Sequence, residues 1–300
     1  MTRKTILITG GGGLVGSSFI GQKVKKDYNF IYPSHGEMDI SDKKQIKKFV
    51  ERHKPDVIIN FAAHRNANTA EEQRNSKKGS AWKTNVIGVE NLVGLSKKQG
   101  LYLIQISTDM VFSGFENRKG PYSEIDLPDD KLKNLSWYGW TKVLGEKEVL
   151  DAKMGASVVR IANVTKPVYD PSLDYVGKIL WLYDQKKLYS LFYDQYLSLS
   201  YIPDVISAID RLLKKKIGGV FHVGSSNLVT PFEMAEYLLF KSRSVKNKVG
   251  KVSIDEFLKN MPNRYPKFGG LKSEYTQKKL GIKFPSWQKI VDNFIKHAKI

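Results

Sequence analysis

The chain has 300 residues, enough to bury a large core as one α/β domain or as two lobes. Its 41% hydrophobic and 26% charged content is that of a globular protein, no apolar run approaches the roughly 20 residues that span a bilayer, and zero cysteines exclude disulfides, thiolate metal sites and a cysteine nucleophile. A formal charge of +19 raises nucleic-acid binding, but pairs such as Lys25-Lys26, Lys47-Lys48, Lys97-Lys98, Lys186-Lys187 and Lys278-Lys279 are dispersed over the chain and read as a basic surface instead.

In chain order, Thr5 to Thr9 is a short β-branched run expected to form a buried parallel strand. Met1 to Lys4 before it lack a secretory apolar region, which points to a cytoplasmic protein. Glycines 10 to 13 follow, then Leu14-Val15-Gly16 and a helical pattern through Phe19, Ile20 and Val24. Strand, glycine turn and helix form an anion site: bare backbone can approach a pyrophosphate, and the helix start offers free N–H groups and its positive dipole end. The glycines fit two spacings, Gly11-Gly13-Gly16 and Gly10-Gly13-Gly16, and a glycine-rich turn without a ligand is the alternative reading.

Asn29 to Tyr32 reads as a second strand and Lys43 to His53 as a helix with Ile46, Phe49 and Val50 on one face. Val57 to Phe61 is a third strand, Ser80 to Lys98 a long helix and Tyr102 to Ser107 a fourth strand. A loop of about thirty residues follows, of the length usually kept for function. Tyr138 to Lys153 is the next helix and Ser157 to Ile161 the next strand. This alternation predicts an α/β fold with a doubly wound parallel sheet. Beyond Arg160 the pattern loosens around Pro167, Pro171 and Gly177. Pro203 to Lys216 is helical, Gly219 to Val223 a strand, and Pro231–Phe240, Ile254–Met261, Ser273–Leu280 and Trp287–Ala298 are helical. The expected organisation is a Rossmann domain over 1–165, with 198–225 returning to it, and a smaller mixed lobe over 166–197 and 226–300.

Tyr138 and Lys142, four apart at a helix start, share one face. A phenol titrates near ~10, and a cation held close favours its phenolate and makes it a usable proton donor and acceptor. Ser107 and Thr108 stand at the C-terminal end of a strand, where ligands bind in open α/β sheets; they could bond a substrate carbonyl or merely cap a turn. The histidines at 35, 53, 64, 222 and 297 are far apart and form no metal motif.

These segments together resemble an extended short-chain dehydrogenase/reductase of the dTDP-4-dehydrorhamnose reductase family. The resemblance rests on Thr9 to Gly16, Glu37 to Asp42, Pro55 to Ala63, Ser107 to Gly114, Pro121 to Glu124, Tyr138 to Glu146, Tyr193 to Tyr196 and Gly218 to Gly224. It implies hydride transfer from NADPH, with NADH also usable, to the 4-keto group of a nucleotide-linked 6-deoxyhexose. Tyr138 would protonate the carbonyl oxygen. Lys142 would hold the nicotinamide ribose and depress the Tyr138 pKa, and Thr108 would bond the carbonyl or the phenol. Gly10, Gly13, Leu14, Val15 and Gly16 would meet the pyrophosphate, Asp39 and Ile40 the adenine, and Ala62 and Ala63 the cofactor at the strand end. Asn85 matches a supporting position. Asp109, His64, Arg65 and Gln195 would face the substrate, although His64 packing at a strand end is an equal alternative.

The chain departs from the family in two places. His64-Arg65-Asn66-Ala67-Asn68 replaces a tyrosine-threonine-alanine-valine-aspartate run near the nicotinamide and sugar, and Arg264 to Lys272 lacks the usual serine and aspartate of the nucleotide lobe. The second strand ends Tyr32-Pro33-Ser34-His35 without an acid, so Ser34 and His35, with Arg3 or Lys4, are candidates for a 2′-phosphate. The resemblance points to a homodimer without a residue set that decides it, and to no nucleic-acid or membrane partner. Other readings are an epimerase, a dehydratase or a reductase of a different nucleotide sugar on the same scaffold, and a non-catalytic NADP-binding regulatory subunit.

Overall fold

The computed structural model describes residues 3–21, 27–170, 174–262 and 265–298. Met1, Val24, Lys25, Lys26, Pro171 and Arg264, used above, lie outside the described residues. The elements in order are β1 (Lys4–Thr9), α1 (Leu14–Gly21), β2 (Tyr28–Ile31), α2 (Lys43–His53), β3 (Val57–Asn60), α3 (Ala67–Glu71), α4 (Ser80–Trp82), a π-helical segment (Lys83–Ile87), α5 (Gly88–Gln99), β4 (Tyr102–Thr108) and a 3₁₀ turn (Asp109–Val111). Then come α6 (Trp137–Asp151), β5 (Ser157–Ile161), β6 (Val164–Thr165), α7 (Tyr175–Asp184), β7 (Leu191–Phe192), β8 (Ser200–Tyr201), α8 (Ile202–Lys215), β9 (Gly219–Val223), α9 (Pro231–Arg243), β10 (Lys251–Val252), α10 (Ile254–Asn260), α11 (Glu274–Leu280) and α12 (Trp287–Ala298).

The main sheet has strand order β2-β1-β3-β4-β5-β9, and β1 pairs in parallel with both β2 and β3, as β3 does with β4. All four residues of β3 and all seven of β4 are buried, the continuous apolar reading of strands covered on both faces. This is the expected α/β, Rossmann-type architecture. Its element boundaries follow from local chemistry. Asp42 caps α2 by accepting from the Lys44 and Gln45 N–H groups, and Lys54, in the left-handed region at φ 44°, ends it before Pro55. Thr230 and Glu233 form a capping box on α9, with Pro231 in its first turn.

The chain packs as two compact units. The first comprises residues up to Val111, Pro128–Val159 and Ile209–Phe221; the second comprises Phe112–Leu127, Arg160–Ala208 and residues from His222 on. Thus 112–127 and 160–165 group with the second unit, and of the 198–225 segment 209–221 groups with the first and the rest with the second. In the first unit, Leu7, Ile58, Leu103 and Val158 from four strands pack with Ile46, Val50, Val89 and Leu92 from α2 and α5. Each such aliphatic burial contributes about 1.5–3 kcal/mol. In the second, Val176 and Leu180 of α7, Met234 and Leu238 of α9, and Trp287, Val291 and Phe294 of α12 share a core with Leu199. Among the described residues no helix is long and apolar enough to cross a membrane.

Candidate active site

The glycine turn after β1 is shaped by contacts only glycine permits. Gly10 has φ +67°, and a Cβ there would lie 2.5 Å from the Ala62 nitrogen; a Cβ on Gly16 would lie 2.4 Å from the Gly10 oxygen. At Gly13 the nearest atom to a Cβ is 3.4 Å away, so that face is open, and the Gly13 N–H donates to the Gly10 carbonyl at 3.0 Å. The Gly10-Gly13-Gly16 spacing is therefore the structural one. Two glycines let backbone segments touch, and the third leaves bare backbone at the start of α1, where Leu14 is buried and Val15 half-buried. A dinucleotide pyrophosphate fits this cradle.

A buried polar line crosses the strand ends. Thr9 Oγ1 donates to Asn60 Oδ1, and Asn60 Nδ2 donates to Gln105 Oε1 at 2.7 Å. Asn60 Oδ1 also accepts from the Ala62 N–H at 3.1 Å, which fixes the exit of β3 toward Ala63. The Ser107 hydroxyl at the end of β4 is buried with no partner among the described residues. Ser107 and the glycine turn both stand at the C-terminal ends of strands of the main sheet, on β4 and β1, with β3 between them.

The end of β2 differs from the sequence expectation. Glu37 folds back so that its carboxylate accepts from both the Ser34 N–H and the Ser34 hydroxyl at 2.8 Å, which holds Glu37 below the usual carboxylate range. Ser34 is thus already bonded, and an acid does stand at this strand end. His35 is exposed, 3.9 Å from Asp39. Asp39 accepts from the Ser41 N–H, and Ile40 turns inward to pack on Gly88.

The proton-handling group lies on α6. Two glycines explain the motif there: a Cβ on Gly139 would meet the Met110 oxygen at 2.3 Å, and one on Gly145 the Asn85 oxygen at 2.5 Å. α6 is thereby drawn against the turn after β4. Its start is held by Ser136 Oγ, accepting from the Gly139 N–H, and by Glu71 of α3, whose carboxylate accepts from the Trp137 N–H at 2.8 Å. Nothing in the sequence pattern pointed to Glu71.

Tyr138 is buried, and its phenol is pushed up to about 12, chiefly by burial. The Thr108 hydroxyl bonds the phenol and lowers its pKa, the Asp109 charge raises it, and the cation that lowers it is Arg65. Lys142 was expected to depress Tyr138. Instead its buried ammonium donates to the Ile106 carbonyl at 2.7 Å, and burial lowers its own pKa to about 8. Asp109 accepts from Thr108 at 3.2 Å and is pushed up to about 6 by burial. A phenol, a hydroxyl and two buried ionisable groups thus gather at the end of β4.

His64 is tied on every side. Its N–H donates to Asn85 Oδ1 at 2.9 Å, its carbonyl accepts from Asn85 Nδ2 at 3.0 Å, and its ring nitrogens meet Thr69 and Ser80 at 2.9 and 3.1 Å. Asn85 Nδ2 also donates to Thr141 Oγ1, which donates to the Tyr138 carbonyl. Asn85 lies in the π-helical segment, a distortion common at functional sites. Arg65 is exposed beside this clamp. Gln195 belongs to the second unit, where it donates to the Pro266 carbonyl at 3.2 Å.

Comparison with known proteins gives the chain's relatives. A dTDP-4-dehydrorhamnose reductase of Mycolicibacterium smegmatis is 31% identical over 231 residues, 77% of this chain and 67% of that one. The spore coat polysaccharide biosynthesis protein SpsK of Bacillus subtilis is 26% identical over 97% of this chain and 96% of its own. In three dimensions the chain is similar to dTDP-4-dehydrorhamnose reductase from Bacillus anthracis, solved in complex with NADP, with TM-score 0.85 and 25% identity over 98% of this chain and 99% of that one. The family model described as the RmlD substrate binding domain matches residues 4–300, so the chain belongs to that family.

Proposed function

We propose that the chain is an NAD(P)H-dependent reductase of the 4-keto group of a nucleotide-linked 6-deoxyhexose, acting in nucleotide-sugar and surface-polysaccharide biosynthesis in the cytoplasm, with a homodimer as its working form. The observation that carries this reading is the Thr108–Tyr138–Lys142 group, built into the same unit as the glycine cradle.

The cofactor, when bound, supplies the hydride. The cradle of Gly10, Gly13 and Gly16, continued by Leu14 and Val15, holds the pyrophosphate. Asp39 and Ile40 mark the adenine end, Ser34 and His35 the 2′ position, and Ala62 and Ala63 the strand end. NADPH is the preferred cofactor and NADH a second one. At neutral pH a phenol pushed up to about 12 keeps its proton. Tyr138 is therefore a donor, poised to protonate the oxygen of a ketone undergoing reduction. Thr108 orients that phenol. Lys142, charged at neutral pH with a pKa of about 8, places a cation at the Ile106 carbonyl near the end of β4, and would be the residue that holds a nicotinamide ribose. His64, Arg65, Asp109 and Gln195 are assigned to the sugar nucleotide.

The test follows NADPH oxidation with 4-keto-6-deoxyhexose on dTDP, then on UDP and GDP. Turnover that Tyr138→Phe abolishes supports the reading. A second reading, a cofactor-binding subunit of another enzyme, is favoured by 28% identity over 77% of the chain to methionine adenosyltransferase 2 subunit beta of Rattus norvegicus. Tight NADPH binding without turnover on any of the three substrates would select it.

A further inference from the structure

The main sheet carries one polar row. Across β1, β3 and β4 the paired residues Leu7, Ile58 and Leu103, and then Ile8, Ile59 and Ile104, are apolar and buried. The next row, Thr9, Asn60 and Gln105, is polar and just as deeply buried. Buried polar side chains are costly unless they are hydrogen-bonded, so a row that aliphatic residues could fill calls for a reason.

The direction of each bond in this row is fixed. The Ala62 N–H can only donate, so the Asn60 atom 3.1 Å from it is the carbonyl oxygen Oδ1, which also accepts from Thr9 Oγ1. Asn60 Nδ2 is thereby turned to Gln105 Oε1 at 2.7 Å, and Gln105 Nε2 to the Ile106 carbonyl at 2.8 Å. The Lys142 ammonium donates to that same carbonyl at 2.7 Å. A carbonyl oxygen has two lone pairs, and here an amide and an ammonium take one each. All of these residues belong to the first unit.

We infer that Gln105 is a positioning residue for Lys142: it holds the carbonyl on which the ammonium docks, and Asn60 holds Gln105 in turn. The inference rests on the proposed role of Lys142 at a nicotinamide ribose. An ammonium has three donors. One is spent on Ile106, which aims the other two at the hydroxyls of the ribose. The row begins at Thr9, beside the glycine turn, and at Ala62, and it ends at Lys142, so it ties together the places where the cofactor would be held. None of Thr9, Asn60 and Gln105 carries a charge. Glu146, which acts on Lys142 from one turn on in α6, and Asp109 and Tyr138 of the same site are untouched when Gln105 is replaced.

The experiment follows two titrations by NMR in the ligand-free chain, with lysines labelled by carbon-13 at Cε and side-chain amides by nitrogen-15. The Lys142 signal is the one lost in Lys142→Met, and the Gln105 amide signal the one lost in Gln105→Met. In wild type the Gln105 amide is expected to move with the same midpoint as Lys142 when the ammonium loses its proton, and to stand still in Lys142→Met, because the two groups share one acceptor. Gln105→Met keeps the length of the side chain without its donor, and the ammonium is drawn further onto the freed carbonyl. Lys142 should then titrate about 0.5–1 pH unit higher, since a hydrogen bond to the charged form favours it. Its other two donors are then out of place, and calorimetric titration should show NADPH binding about 2- to 10-fold more weakly, the worth of one hydrogen bond. A Gln105 amide that does not respond to Lys142 would overturn the inference, and this readout stands even if Gln105→Met fails to fold. A Lys142 titration that is unmoved or lowered in Gln105→Met, or wild-type NADPH affinity in that variant, would overturn it as well. A wild type that binds no NADPH would instead overturn the reductase reading, and the two titrations would still decide on Gln105.

Discussion

The glycine turn makes a graded prediction. A methyl at position 16 would sit 2.4 Å from the Gly10 oxygen and 3.1 Å from the Gly11 Cα, whereas real Cβ atoms do not approach closer than 3.0 Å. Gly16→Ala must therefore shift the turn by at least 0.6 Å (3.0 − 2.4). Forcing backbone out of its fitted geometry costs about 1–3 kcal/mol of stability. It also misaligns the N–H groups that would face a pyrophosphate. Hydrogen bonds to a charged group contribute about 1.5–3 kcal/mol each, so weakening one or two lowers affinity by about 2–4 kcal/mol, roughly 30- to 700-fold. Gly13→Ala behaves differently. Its methyl makes an ordinary 3.4 Å contact, so the fold should change by no more than about 0.5 kcal/mol, while the methyl fills the face kept open for the phosphate and weakens binding. Gly12→Ala, with no atom within 4 Å, should leave stability unchanged. Thermal unfolding and calorimetric titration with NADPH separate the three. If Gly16→Ala is stable and binds as wild type does, or if Gly13→Ala unfolds the protein instead of weakening binding, the cradle argument is refuted.

Other outcomes follow from the same geometry. Tyr138→Phe should lower turnover by about 10²–10⁴-fold while NADPH affinity is kept, measured by single-turnover kinetics and titration. Asp109→Asn tests a buried acid whose folded pKa of about 6 exceeds the ordinary aspartate value of 3.8. A raised acid is stabilising below its unfolded pKa and loses that contribution as pH rises through its folded pKa, so wild type should lose up to about 3 kcal/mol between pH 4 and pH 6 that the amide does not. Unfolding curves at pH 4 and 7 check this, and equal losses in both proteins would refute it. Asn85→Ala leaves the His64 N–H and carbonyl unpaired and should cost about 1–3 kcal/mol, read as a lower Tm. Glu37→Gln removes a carboxylate bonded to Ser34 and should raise use of NADPH relative to NADH several-fold in kcat/KM.

Much of the fold was legible because its signals are local. Lys43–His53 and Trp287–Ala298 were read to the residue, since an N-cap or an apolar stripe marks each, and β5 and β9 likewise. α7, Tyr175–Asp184, was missed. Its sequence is apolar almost throughout, so it carries little helical period, and it becomes a helix by packing in the core of the second unit. The π-helical turn inside the long helix was also invisible; Asn85 within it bonds Thr141, 56 positions along the chain, a contact no local pattern carries. The same distance hid Glu71, which acts on a residue 66 positions away; Glu37, three residues from Ser34, lay in a segment already singled out, and only the turn that brings its carboxylate to Ser34 was not legible. Motif spacing named Tyr138, Lys142 and Thr108, but which cation acts on the phenol is a matter of three-dimensional placement.

The interleaving of the two units bears on how the protein is made. The chain passes between them at 111/112, 127/128, 159/160, 208/209 and 221/222, so neither unit exists as a continuous stretch. β5 ends at Ile161, and its outer neighbour β9 begins at Gly219, 58 residues later (219 − 161). At a synthesis rate of about 5–20 residues per second, a growing chain presents the open edge of β5 for about 3–12 seconds before the strand that covers it emerges. Unpaired edges template association between chains, so nascent copies on neighbouring ribosomes are the form of this protein most exposed to mispairing. For the same reason, expressing residues 1–165 alone yields a sheet that lacks its last strand, and co-expression with the remainder is the way to recover it.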